Sequence, residues 1–191
     1  SIFIIRNLNV NFLINTILIT SAFFLFFITT RDFFIKKSVN LSQNIAHFGF
    51  SLLILSILFN NIFSTEIITN LKVGETFQTE KIKINFEDIR EKDEKNFKAI
   101  IGKFSIEDLD GKIEVLRPEL RIYNQPNIVT SEADIQTNLL EDRFMTMNLV
   151  QNKEYFNVRY QVKPFMIWIW LSVLIISLGG LKSLIKKKYE D

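Results

Sequence analysis

Phe156-Asn157-Val158-Arg159-Tyr160-Gln161-Val162-Lys163-Pro164-Phe165-Met166-Ile167-Trp168-Ile169-Trp170-Leu171 changes its period in mid-run. Up to Val162 apolar and polar residues alternate, the pattern of a half-buried strand. From Pro164 to Leu181 no residue is charged, a run of nearly the ~20 residues that a helix needs to cross the hydrocarbon core. One segment therefore joins an extramembrane β domain to a membrane helix. The spacing predicts that Pro164, a favoured first helical residue, opens this helix. Trp168 and Trp170 then fall near its outer end, where aromatic belts form. Ser172, Gly179 and Ser183 fall on one face suited to helix packing.

Two further uncharged runs precede it, Asn7 to Thr30 and Ser38 to Thr65. They predict membrane helices at about 10–28 and 41–63. The first apolar run is too long for a cleaved leader and lacks a small-residue cleavage site. Its phenylalanines Phe23, Phe24, Phe26 and Phe27 read as lipid-facing surface. The chain begins with Ser, which points to a piece of a longer polypeptide. The expected organisation is two transmembrane helices in 1–63, a β-rich domain in 64–163, and a third helix with a basic tail in 164–191.

Basic residues flanking the spans set the orientation. Arg31, Lys36 and Lys37 lie between the first two helices, and Lys182, Lys186, Lys187 and Lys188 follow the third; only Arg6 lies on the other side. The positive-inside rule makes that loop and tail cytoplasmic or matrix-facing. The central domain is then periplasmic in a bacterial inner membrane, or in the intermembrane space of a mitochondrion.

That central segment of about 98 residues carries 15 basic and 18 acidic residues. Its net charge near −3 leaves no electrostatic footprint for nucleic acid. With no cysteine in the chain, thiol chemistry and disulfides are excluded, and the domain must stand on its own core. Lys81-Ile82-Lys83-Ile84-Asn85-Phe86 alternates as a strand. Asp110-Gly111 lies between Phe104-Ser105-Ile106 and Ile113-Glu114-Val115, a hairpin signal. Five to seven short strands are expected, in a small antiparallel barrel or sandwich. The charge-rich stretch Arg90 to Lys98 reads as a solvated hairpin tip.

His47 is the single histidine. It lies in the second helix, roughly 9 Å from its start at 1.5 Å per residue. Asn40, Asn44, His47 and Ser51 recur at spacings of four, three and four, which predicts a polar stripe turned toward the protein interior. Ala46 and Gly49 leave room for a close neighbour. Two roles stand open for His47. It is either a neutral imidazole bonded within the bundle, through Asn44 or Ser51, or a functional group: a haem axial ligand, a proton relay or a metal ligand. One histidine supplies at most one axial ligand, so a bis-histidine haem would need a second from elsewhere.

No catalytic constellation emerges. A soluble triad cannot form around a histidine in the membrane, and no phosphate-binding glycine loop is present. Asp93-Glu94 and Asp108 with Asp110 read as turn and surface charge. Arg117, Glu119 and Arg121 alternate, which predicts one strand face bearing either a salt-bridge ladder or a site for an acidic group such as a haem propionate.

Ala46-His47-Phe48-Gly49, then Ser64-Thr65-Glu66, then Leu116-Arg117-Pro118-Glu119-Leu120-Arg121-Ile122-Tyr123 and Thr130-Ser131-Glu132-Ala133-Asp134-Ile135 stand in this order, followed by Val162-Lys163-Pro164-Phe165-Met166-Ile167-Trp168-Ile169-Trp170 and Gly179-Gly180. Together they resemble the C-terminal part of the haem lyase of the multi-component cytochrome c maturation pathway, the CcmF family, over about Ala46 to Leu181. The resemblance implies a polytopic protein that holds a structural haem b in the membrane. It also implies attachment of haem, delivered by a haem chaperone, to the Cys-x-x-Cys-His motif of apocytochrome c. In that family the histidine of the Ala-His-x-Gly motif is an axial ligand of the membrane haem, which matches His47. The second ligand and the tryptophan-rich signature for delivered haem lie upstream, and Trp168-Ile169-Trp170 is not that signature. The expected partners are therefore the upstream part of the lyase, in the same chain or as a split subunit, with the chaperone and apocytochrome c. The competing function, from a different class, is a membrane-anchored exported β domain acting as a non-haem partner-binding or sensory module.

Overall fold

Long uncharged runs form helices because in hydrocarbon only a helix satisfies every backbone group within its own segment. The computed structural model describes residues 2–35, 40–109, 111–150 and 154–190, with the side chains of 2–15 and 186–190 outside that description. Arg6, Lys36, Lys37, Asp110 and Lys186 to Lys188, on which the orientation and hairpin arguments partly drew, lie outside the described residues or side chains. Among the described residues three helices, α1 (Ile2–Ile35), α2 (Leu41–Phe63) and α3 (Met166–Glu190), contain spans long and apolar enough to cross a membrane, Thr16–Ile35, Leu41–Phe63 and Met166–Ile185. The chain divides into two compact units, residues 1–63 with 164–191, and residues 64–163.

In the first unit α2 packs against both other helices. Toward α1, the hydroxyls of Thr29 and Ser51 lie 3.0 Å apart. Phe48 meets Phe26 at 5.6 Å, and Phe59 meets Phe23 at 5.8 Å. Phe23 and Phe26 thus pack inside the helix pair, while Phe24 and Phe27 remain exposed, so half of the phenylalanine cluster is taken up by helix packing. Toward α3, Gly49 abuts Ile176 and Gly179 abuts Ala46. Ser172 is fully buried on this side, whereas Ser183 is exposed.

Two boundaries differ from expectation. α1 extends well beyond 10–28 at both ends. Pro164 does not open α3; it ends the preceding strand, and Phe165 follows with φ of 61° before the helix begins at Met166. The proline's missing N–H is tolerated at the end of a strand as well as at a helix start.

The second unit is a curled antiparallel β sandwich. Its strands among the described residues are β1 (Thr65–Leu71), β2 (Thr76–Gln78), β3 (Ile82–Asp93), β4 (Phe97–Asp108), β5 (Ile113–Leu116), β6 (Glu119–Asn124), β7 (Asn127–Glu132), β8 (Asp134–Thr137), β9 (Glu141–Leu149) and β10 (Phe156–Pro164). One sheet runs β1-β10-β9-β8; the other runs β2-β3-β4-β6-β7, with β5 on β4. Pairing of Thr65 with Val162 through Leu71 with Phe156 closes the domain's two chain ends against each other. Ten strands stand among the described residues against the five to seven expected, in part because the chain breaks twice without leaving the sandwich. Pro118, lacking a ladder donor, separates β5 from β6 along one edge of β4. Ala133 marks the crossing from β7 into β8, in the other sheet.

Alternation places the core. Ile84, Phe86, Phe104, Ile106, Leu116 and Leu120 face Met145, Met147, Val158 and Tyr160 between the sheets. Phe86 and Phe104, paired in register, stack at 4.1 Å, and Phe156 closes on Phe86 edge-on at 5.6 Å. Each such side chain contributes roughly 1.5–3 kcal/mol by leaving water. The stretch Arg90 to Lys98 is mostly ladder: Asp93 pairs with Lys98, and only Glu94, Lys95 and Asn96 form the tip.

Candidate functional site

Asn40 stands at the N-cap of α2, its carbonyl accepting the Asn44 N–H at 3.1 Å. Two turns later the helix presents His47. The expected stripe splits at this point. Asn44 and Ser51 are buried, with Asn44 Nδ2 donating to the Asp32 carbonyl at 3.4 Å and Ser51 meeting Thr29, whereas Asn40 and His47 are exposed. At 3.6 residues per turn His47 lies roughly 60° around the helix from Asn44, enough to leave the contact with α1. Ser42, Ala46 and Gly49 take the arc that meets α3. His47 therefore shares the remaining, uncovered arc with Gln43 and Phe50, both exposed.

Neither Asn44 nor Ser51 bonds the imidazole, and among the described residues His47 has no hydrogen-bond or ion-pair partner. A polar ring on a membrane helix with both nitrogens unmatched is costly in hydrocarbon. A neutral imidazole of this kind can ligate a metal or relay a proton.

The charged candidates in the β domain are accounted for locally. Glu119 and Arg121 pair at 3.0 Å, and the Arg121 guanidinium lies 5.1 Å from the Phe97 ring. Arg117 does not share their strand; it sits in the break before β6, its N–H donating to Asp134 Oδ2 at 2.6 Å. The three-residue face expected there is therefore a pair. Glu94 accepts from Lys92 at 2.7 Å, which holds its carboxyl below the usual range. Groups of three or more His, Cys, Asp or Glu arranged for a metal ion are absent among the described residues.

One polar cluster was not anticipated. Arg143 of β9 points between the sheets, 16% exposed, and meets Glu141 at 2.6 Å, Glu114 of β5 at 2.8 Å and Asp108 of β4 at 3.7 Å. Burial beside these carboxylates pushes the Tyr160 hydroxyl up to about 12, against the pull of Arg143. Alternation of Glu141 and Arg143 along β9 was readable; the partners on the opposite sheet depend on the topology.

Comparison with known proteins bears on both units. A family model for the CcmF C-terminal beta-sandwich matches residues 62–164. The cytochrome c-type biogenesis protein CcmF of Escherichia coli (strain K12) is 30% identical over 146 residues, which cover 76% of this chain and 22% of that protein. Its Haemophilus influenzae counterpart is 30% identical over 148 residues, again 76% and 22%. A solved structure titled Cytochrome c Heme Lyase CcmF superposes with a TM-score of 0.60 over 82% of this chain and 27% of that one, at 20% identity, a likeness of fold. The chain thus spans 22% of the length of these two curated relatives. With more than half of its residues inside the matched model, it belongs to the CcmF C-terminal beta-sandwich family.

Proposed function

We propose that this chain is the C-terminal portion of a membrane haem lyase for cytochrome c biogenesis, in which His47 provides one axial ligand to a haem b. The observation that carries the reading is the exposed imidazole of α2, without a partner among the described residues, in a chain of this family. When bound, the haem supplies a one-electron centre whose potential follows its axial ligands and surroundings. The chain's own residues hold α2 at the right height and leave its ligand face open.

Orientation follows from Arg31 at the end of α1 and Lys182 on α3, which lie toward the same side of a three-helix crossing. That side is cytoplasmic or matrix-facing, and residues 64–163 stand in the periplasm or intermembrane space. There the β sandwich helps to position the haem chaperone or apocytochrome c.

The test is a visible spectrum of the chain assembled with the rest of its lyase, wild type against His47→Ala. A six-coordinate b-type spectrum that is lost or weakened in the variant supports the reading. An unchanged spectrum moves the ligand elsewhere. Absence of haem in both proteins favours a non-haem partner-binding module.

A further inference from the structure

We infer that Gly179 of α3 is a positioning residue for His47, setting the height and rotation at which α2 presents its imidazole. The inference rests on the reading of His47 as a haem ligand. A Cβ at Gly179 would lie 2.7 Å from Ala46 N, 2.9 Å from Ser42 O and 3.0 Å from Ala46 Cβ. Two of these atoms are backbone, so no rotamer change can make room. Ordinary carbon contacts lie at about 3.5–4 Å, so a methyl group here must push α2 by roughly 0.5–1 Å. A metal–ligand distance is defined to about 0.2 Å.

The contact acts where it matters. Ala46 precedes His47 directly, and a helix transmits a shift of one residue's backbone to the next almost undiminished. Two residues beyond the histidine, Gly49 repeats the close approach, with a Cβ there 2.9 Å from Ile176 N and Ile176 Cγ1. His47 is thus bracketed by two backbone-level contacts on the side turned away from its own exposed arc. Gly180, next to Gly179, has nothing within 4 Å of an added Cβ, so the two adjacent glycines are not equivalent.

The experiment uses the full lyase carrying Gly179→Ala, Gly180→Ala, Ala46→Gly or His47→Ala. It reads haem retained per polypeptide and the g values of the low-spin electron paramagnetic resonance signal. Gly180→Ala should match wild type. Gly179→Ala should hold haem roughly 10-fold more weakly, the scale of a lost ligand-orienting contact, with shifted g values. Wild-type retention and g values in Gly179→Ala overturn the inference. If that protein fails to accumulate, Ala46→Gly decides, because it loosens the same contact by removing an atom: a shifted signal supports positioning, and a wild-type signal overturns it. Failure of both to accumulate beside a normal Gly180→Ala marks the seam as a folding element and also overturns it. A lost spectrum in His47→Ala beside an unchanged Gly179→Ala sinks this inference alone. A wild-type spectrum in His47→Ala sinks the ligand reading and this inference with it.

Discussion

Asn60 of α2 donates its side-chain N–H to the Pro164 carbonyl at 2.6 Å, fastening the turn through which β10 becomes α3. The next residue, Phe165, sits at φ of 61°, a region disfavoured for a residue with a Cβ by roughly 1–3 kcal/mol. Its carbonyl nevertheless opens the helix, accepting the N–H groups of Trp168 and Ile169 at 3.1 and 3.2 Å. The Phe59 ring, 5.4 Å from that of Phe165, adds a second hold from α2.

Asn60→Ala should therefore destabilise the helix unit by about 1–2 kcal/mol, more than an exposed amide contributes, because the Pro164 carbonyl loses a partner. Thermal unfolding in detergent, followed by circular dichroism at 222 nm, checks this. A midpoint equal to wild type would mean that the turn holds without the amide.

Ser51→Ala should lower stability only slightly, by roughly 0.5–1 kcal/mol. The serine is fully buried against α1, but its partner has an alternative: Thr29 Oγ1 also reaches the Leu25 carbonyl at 2.8 Å. No orphan donor is left behind. Ser51→Leu should be far worse, since the site has no room for three more carbons. Comparing the two variants by denaturant titration in the same detergent separates loss of a bond from overpacking.

Phe86→Ala should cost about 3–5 kcal/mol, the range for removing a buried phenyl ring. Phe86 is at the centre of the sandwich, stacked on Phe104 and capped by Phe156. Limited proteolysis within residues 64–163, wild type against variant, gives the measurement. Protection equal to wild type would show that the core refills the space.

Much of this architecture was readable. The three uncharged runs and the alternation at Ile82 to Phe86 and Phe156 to Val162 needed only local periodicity. The closure of β1 on β10 joins residues nearly a whole domain apart, and no local pattern announces it. Phe165 was missed for a related reason: its φ is imposed by Asn60 and Phe59, more than a hundred positions earlier. His47 was legible as a residue, but its facing was not. A spacing of four, three and four spans only about 60° of the helix, and His47 stands at one edge of that arc. Asn44 and Ser51 went to α1, and the histidine was left outside the contact. Arg143 was invisible as a centre because Glu114 and Asp108 reach it across the sandwich.

Tyr160 gives the last prediction, and it concerns alkaline pH. The phenol is buried in the core, and its folded-state value is raised from 10 to about 12, chiefly by burial. A raised value means that the folded state holds the proton more tightly than the unfolded chain does. The stability this contributes is complete below pH 10 and is lost as pH rises from 10 through about 12. Stability of residues 64–163 should therefore fall over that window, with phenolate absorbance at 295 nm rising late for one tyrosine. Tyr160→Phe should remove that component and flatten the fall, while leaving stability near pH 7 within about 1 kcal/mol of wild type, since little buried volume changes. An alkaline profile identical in the two proteins would show that the phenol titrates as freely as an exposed tyrosine.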